Sequence, residues 1–228
     1  MKRNFLAADP VYREQMESYT LKDTFAALGY WVLWMAVYYC LGLVKYRTGK
    51  YYGNIVNIAM MLLPVLLCVR KLPSLGLTGR NLKPSLLTGL AAGAVFLLAW
   101  TVIPGIVSGA RLQPFGRILY NVFYYFVIIA LTEEIGFRGF IQPRLYPLFR
   151  KEWAAVLAGG LLFVLMHLPY QMAARGMTLG EFLPQALANA PMQFIWHLVF
   201  TWIYRRNGNL AGAVVLHGFV DMSMGLFQ

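Results

Sequence analysis

The chain has 228 residues, 59% of them apolar and 13% charged, with a mean hydropathy of +0.57. A soluble domain carries about 25% charged and about 45–50% apolar residues, and here the apolar residues fall in long runs, so a solvated globular domain is excluded. The formal net charge of +11 lies in short clusters between those runs, which points to a lipid bilayer as partner and away from nucleic acid.

In chain order, residues 1–23 form a polar, partly amphipathic lead, with Tyr12, Met16 and Tyr19 expected to rest on the membrane interface. Apolar runs follow at roughly 24–44, 54–69, 84–104, 118–142, 153–168, 188–204 and 209–227. A membrane-crossing helix needs about 20 apolar residues. Inside lipid the backbone must satisfy its own polar groups, which favours helices. The expected fold is therefore all-α: a polytopic transmembrane helical bundle of about seven spans, six to eight, with 24–228 as a single membrane domain. The runs at 54–69 and 153–168 need flanking residues to reach full length. The first run is too long for a signal-peptide core and follows a charged stretch, so no cleaved signal is expected.

Three connections stand out: a basic loop at 70–83, a Gly- and Pro-punctuated loop at 105–117 and a longer connection at 169–187. With a cytoplasmic N-terminus and seven spans, fourteen of the twenty Lys and Arg residues fall on the inside and six on the outside. Positive residues favour the cytoplasmic face, so the expectation is a multi-pass protein of the cell membrane with its N-terminus inside. Cys40 and Cys68, both within apolar runs, have no metal-pair spacing and are read as packing residues.

Six ionisable groups lie in or against apolar helices: Glu133, Glu134, Asp221, His167, His197 and His217. Such groups are costly in lipid and usually functional. Glu134 and Arg138 are four apart, share a helical face and can pair. Glu133 points elsewhere. Burial disfavours the charged form of an unpaired carboxylate, which suits it to proton transfer near neutral pH. His167 follows Phe163 by four. If the fourth helix turns near Lys151, Glu133 and His167 lie at about the same depth of an antiparallel hairpin, although Pro143 and Pro147 can kink or break the first arm. His217 and Asp221 also share a face, and Gly218 beside them lets a neighbour approach closely. His197 is read as structural.

Glu133, His167, His217 and Asp221 thus come from three helices. Two histidines and a carboxylate, namely Glu133, His167 and His217, are a possible zinc ligand set. The same groups can polarise a water without metal, with Glu133 as base. Either arrangement supports hydrolysis of an amide in a peptide or membrane-protein substrate. There is no His-Glu-x-x-His run and no Gly-x-Ser-x-Gly elbow, and Ser108 and Ser223 are poor nucleophile candidates. Two other readings use the same residues: a non-catalytic membrane scaffold or bacteriocin-immunity factor with a polar packing core, and a proton-coupled transporter. The transporter reading calls for two related halves, and the sequence has no such symmetry. Oligomeric state is not encoded in these features.

At these positions the chain resembles the CPBP family of intramembrane proteases, which includes type II CAAX prenyl endopeptidases, bacteriocin-processing and self-immunity proteins and lysostaphin-resistance-like proteins. The resemblance rests on Glu133-Glu134-x-x-x-Arg138, Phe163-x-x-x-His167 and His217-x-x-x-Asp221 in that order, and spans roughly 84–227. Leu75-Gly76-Leu77 and Arg80 are similar to many bacterial members. The resemblance implies an all-helical endopeptidase in which Glu133 and His167 activate water. His217 and Asp221 would stabilise the oxyanion or complete the site, with Glu134 and Arg138 holding it together. Zinc and metal-free chemistry both remain open. Asp221 stands where prenyl endopeptidases typically carry Asn, which matches the broader bacterial branch better.

Overall fold

The computed structural model describes residues 7–228. Lys2 and Arg3, two of the cations counted on the inside, and the first residues of the polar lead lie outside the described residues.

Helix α1 (Pro10–Ser18) starts at Asp9, whose Oδ1 accepts from the backbone N–H of Val11 at 3.0 Å and Tyr12 at 3.3 Å. Proline at the first helical position forfeits only an N–H that would have no intrahelical partner. Helix α2 (Leu21–Thr48) opens on a Thr20–Asp23 capping box and ends at Gly49, where φ is +70°. Next come α3 (Gly53–Leu67) and a 3₁₀ turn (Val69–Leu75). They are followed by α4 (Leu82–Val107), α5 (Phe115–Phe149) and α6 (Glu152–Ala173). Helix α7 (Leu179–Asn207) has its own capping box, Thr178–Glu181, and α8 (Ala211–Met222) completes the bundle. Among the described residues there is no strand, only an isolated bridge between Leu112 and Phe227.

Each of the seven apolar runs centres on one helix. Four helices, α2, α4, α5 and α6, are long and apolar enough to cross a membrane, so the expected count of about seven is met only in part. Helix α3 has 15 residues and α8 has 12. Helix α7 is long, but Glu181, Gln185, Asn189 and Gln193 dilute its apolar content. The connection expected at 169–187 is mostly helical, and only 174–178 separates α6 from α7. Glu181, placed near its end, lies instead in the first turn of α7, where its side chain accepts from the backbone N–H of the N-cap, Thr178. Many large apolar side chains face outward, among them Ile55 at 71%, Trp100 at 72% and Val107 at 81% exposure, an apolar outer wall that suits lipid and not water.

Helix ends from distant parts of the chain gather at one end of the bundle. Asp9 N donates to Arg205 O at 2.7 Å, Asn81 Nδ2 to Asn207 O at 2.8 Å and Arg205 Nε to Glu152 Oε1 at 2.7 Å, while Arg80 pairs with Asp9. The basic loop, α1 and the turns after α5 and α7 therefore share that end. Here the lead departs from expectation. Tyr12 is 2% and Met16 1% exposed, and the Tyr12 ring meets Tyr204 edge-on at 5.2 Å. These side chains pack on protein because Asp9 and Arg80 tie α1 down. At the opposite end the Tyr51 and Tyr124 hydroxyls meet at 3.1 Å and Asn121 Nδ2 donates to Gly225 O at 2.7 Å.

Helix α5 changes character along its length. It is π-helical over Tyr124–Ala130 and Ile135–Ile141, with one α-helical turn, Leu131–Glu134, between them. Its last part tightens to 3₁₀ over Gln142–Leu145, where Pro143 removes a backbone donor. π segments of this kind are frequent at functional sites, and Glu133 and Glu134 sit between two of them. Glycines bring α8 close to its neighbours. A Cβ on Gly89 of α4 would fall inside contact distance of Gly212 O, and one on Gly218 would lie 2.5 Å from the Phe126 ring of α5.

Candidate functional site

Glu134 and Arg138 pair as their spacing predicts: Arg138 Nη1 donates to Glu134 Oε1 at 3.0 Å, and both side chains are fully buried. The guanidinium carbon lies 4.3 Å from the Phe163 ring centre and 5.2 Å from that of Phe200, so α6 and α7 both pack on the ion pair. Arg138 Nη2 lies 3.3 Å from His197 Nδ1, and His197 Nε2 lies 3.1 Å from Val156 O. A backbone carbonyl only accepts, so the Nε2 proton is fixed and Nδ1 accepts from Arg138. His197 is an anchor for Arg138.

His217 gathers three carboxylates. Its Nδ1 is 2.8 Å from Glu134 Oε1, and its Nε2 is 3.4 Å from Asp221 Oδ2 and 3.8 Å from Glu133 Oε2. The Phe200 ring stacks on the imidazole at 4.6 Å and 15°. Glu134 therefore serves two helices, binding Arg138 on its own helix and His217 on α8. Glu133 has His217 Nε2 beyond hydrogen-bonding reach, with 12% of its side chain exposed.

That exposure opens into a cavity of about 210 Å³ whose lining includes Glu133, His167, Tyr38, Asn57, Tyr124 and Tyr170. His167 Nδ1 is 2.8 Å from Phe163 O. In the neutral ring the proton is thus on Nδ1, and Nε2 is left as an acceptor. Glu133 joins the two halves of the constellation: it lines the cavity with His167 and faces His217. The cavity rim includes Tyr51, 44% exposed, at the end of the bundle opposite the basic loop.

The structure thus assembles Glu133, Glu134, Arg138, His217 and Asp221, and brings His167 to the lining of the same cavity as Glu133. Among the described residues no group of three or more His, Cys, Asp or Glu side chains is arranged to hold a metal ion. The suggested set of Glu133, His167 and His217 is therefore not drawn together as a zinc site, although an engaged Nδ1 would leave each ring's Nε2 as the usual ligand atom. Ser223 donates to Val220 O. Sequence reasoning did not find Tyr38 and Asn57, joined by a 2.6 Å hydrogen bond beside Glu133, because neither stands in a motif. Cys40 is exposed, and Cys68 contacts Arg144 Nη2 through Sγ at 3.5 Å.

Residues 114–223 match the family model described as type II CAAX prenyl endopeptidase Rce1-like. That span is just under half of the chain and contains all six residues of the constellation named above. No curated protein and no solved structure matches the chain at a significant level.

Proposed function

Taking as premise that the chain belongs to the CPBP family of intramembrane proteases through its Rce1-like segment, 114–223, we propose that Glu133 activates a water for attack on a peptide carbonyl inside the bundle. One observation carries this reading: Glu133 is the carboxylate that lines the cavity with His167 and also faces His217. Its neighbour Glu134 is consumed by Arg138 and His217.

In this scheme the water sits in the cavity between Glu133 and His167. His167 Nε2, left as an acceptor by the Phe163 bond, takes one O–H and orients the oxygen. Glu133 takes the other proton as the oxygen bonds to the carbonyl carbon. His217, flanked by Glu134 and Asp221, donates from Nε2 to the oxyanion. The tetrahedral species collapses, the C–N bond breaks, and Glu133 returns its proton to the leaving amine. Glu134, Arg138 and His197 keep the acid and the imidazole in register. The chemistry needs only these side chains.

The protease core is taken as 84–227. It extends beyond the matched segment to include α4, because Gly89 of α4 packs on Gly212 of α8. The basic end is assigned to the cytoplasm, since the inside cations of the sequence topology gather there. The cavity rim at Tyr51 then admits substrate from the opposite end. The substrate class is a peptide or a membrane-protein segment. The Asp at position 221 favours an unprenylated one.

Glu133→Gln tests the reading. General-base catalysis contributes about 10²–10⁴-fold, so cleavage of a peptide library by the purified variant should fall by about that factor while its thermal unfolding stays that of wild type. Turnover at the wild-type rate would remove Glu133 as the base, and no cleavage by the wild-type protein would return it to the non-catalytic scaffold reading.

A further inference from the structure

At the end of the bundle where α1 and the basic loop meet, a second cavity of about 650 Å³ lies apart from the candidate active site. Its lining includes three cations, Arg70, Lys71 and Arg144, and one carboxylate, Asp23. Asp23 is already engaged: its Oδ2 accepts from Thr20 N at 2.8 Å and Thr20 Oγ1 at 2.7 Å. The balance of charge facing the cavity is positive.

Arg144 forms the floor. It is 5% exposed, yet among the described residues it makes no ion pair. Its Nη1 donates to Gly139 O at 3.1 Å and Phe140 O at 3.0 Å, and its Nη2 meets only a sulfur, Cys68 Sγ, at 3.5 Å. Tyr19 and Phe140 cover the guanidinium, with ring centres 4.4 and 4.2 Å from its central carbon. A buried guanidinium held by carbonyls, a weak sulfur acceptor and ring faces has no carboxylate in contact with it, and Asp23 across the cavity offsets its charge only at a distance. Arg70 and Lys71 bring two more cations to the mouth of the same cavity. Beside that mouth, Leu66 and Leu67 at the end of α3 are 65% and 64% exposed, an apolar strip of the kind that acyl chains cover.

We propose that this cavity binds a phosphate group, with Arg144 as its buried anchor and Arg70 and Lys71 as its outer clamps. Basic pockets between membrane helices on the cytoplasmic side are sites for anionic headgroups, and the exposed leucines place acyl chains next to the phosphate. A phosphodiester headgroup and a free phosphate share the chemistry, and the experiment separates them.

The full chain, purified in neutral detergent, is titrated with phosphatidylglycerol, phosphatidylcholine or inorganic phosphate, and binding is read by native mass spectrometry and thermal unfolding. Phosphatidylglycerol should bind in preference to phosphatidylcholine. The double variant Arg70→Gln, Lys71→Gln should weaken that binding roughly twenty-fivefold, about fivefold per cation removed. Both side chains are exposed, so this variant folds even if substitution of Arg144 does not. Lys45→Gln, at the other end of the bundle, should leave affinity unchanged. Competition by millimolar inorganic phosphate supports a site for soluble anions as well, and its absence assigns the lipid headgroup. Equal binding of the two lipids, or wild-type affinity in the double variant, overturns the proposal.

Discussion

Glu134 Oε1 is shared: His217 Nδ1 approaches it to 2.8 Å and Arg138 Nη1 to 3.0 Å. One carboxylate oxygen therefore ties α5 to α8 at the level of the candidate water site, while the adjacent Glu133 hydrogen-bonds to neither and faces His217 Nε2 from 3.8 Å. The division of labour between the two glutamates follows from the 100° step between neighbouring helical positions. Function and stability should accordingly separate when each is changed alone.

Glu134→Gln keeps the shape but leaves Arg138 buried without its counter-charge. Breaking a buried pair in this way costs about 3–5 kcal/mol, so the variant should unfold at a clearly lower temperature in detergent. Glu133→Gln should not, because no ion pair within hydrogen-bonding reach is lost. Thermal unfolding of the two variants side by side checks this, and a wild-type midpoint for Glu134→Gln would falsify the clamp.

Much of this pairing was legible in the sequence. Contacts at i, i+4 need only helical geometry, so Glu134–Arg138 and His217–Asp221 could be read from spacing, as could the close approach at Gly218. Apolar runs long enough to cross a membrane announce their helices. The bond from His217 to Glu134 spans 83 residues and depends on how α8 packs on α5, which spacing does not carry. The π stretches around Glu133 have no composition signal. The burial of α1 was missed because Tyr12 and Met16 on a polar segment look interfacial until Asp9 and Arg80 are seen to clasp it. Length and composition carry four of the seven expected spans; the other three rest on α3 and α8, which are shorter than a bilayer is thick, and on α7, whose polar residues dilute it.

His197 acts through Arg138. His197→Phe keeps the ring contact with Phe163 but strands Arg138 Nη2, while Val156 O keeps its helical bond. Leaving a buried polar group unpaired costs about 1–3 kcal/mol. The variant should therefore be less stable. Its kcat should fall while KM for peptide stays near wild type, because His197 does not line the cavity. His197→Gln, which restores an acceptor, should recover part of the loss. A KM change larger than the kcat change would instead put His197 in contact with substrate.

The α4–α8 contact is backbone against backbone, whereas the contact at Gly218 is backbone against a ring. A methyl group on Gly89 meets Gly212 O, which cannot rotate away, while one on Gly218 meets Phe126, whose ring can shift. Overpacking a tight site costs about 1–3 kcal/mol. Gly89→Ala should sit at the upper part of that range and Gly218→Ala at the lower. Unfolding midpoints of the two single variants give the order directly, and a reversed order would mean that α8 is held mainly through α5.

The last prediction concerns which nitrogen of His167 matters. Nδ1 is spent on Phe163 O at 2.8 Å, so only Nε2 remains to touch the proposed water beside Glu133. The side-chain amides of Asn and Gln reach approximately the positions of Nδ1 and Nε2. His167→Asn can therefore keep the Phe163 bond and lose the water contact, whereas His167→Gln can keep a polar atom at the water. Residual peptide cleavage should rank Gln above Asn, with Asn close to Ala, and all three below wild type because a flexible amide holds the water less firmly than the ring. Stability should rank the other way, since the bond to Phe163 survives only in Asn. Cleavage that is better preserved in Asn than in Gln would mean that His167 works by holding its helix and not by holding the water.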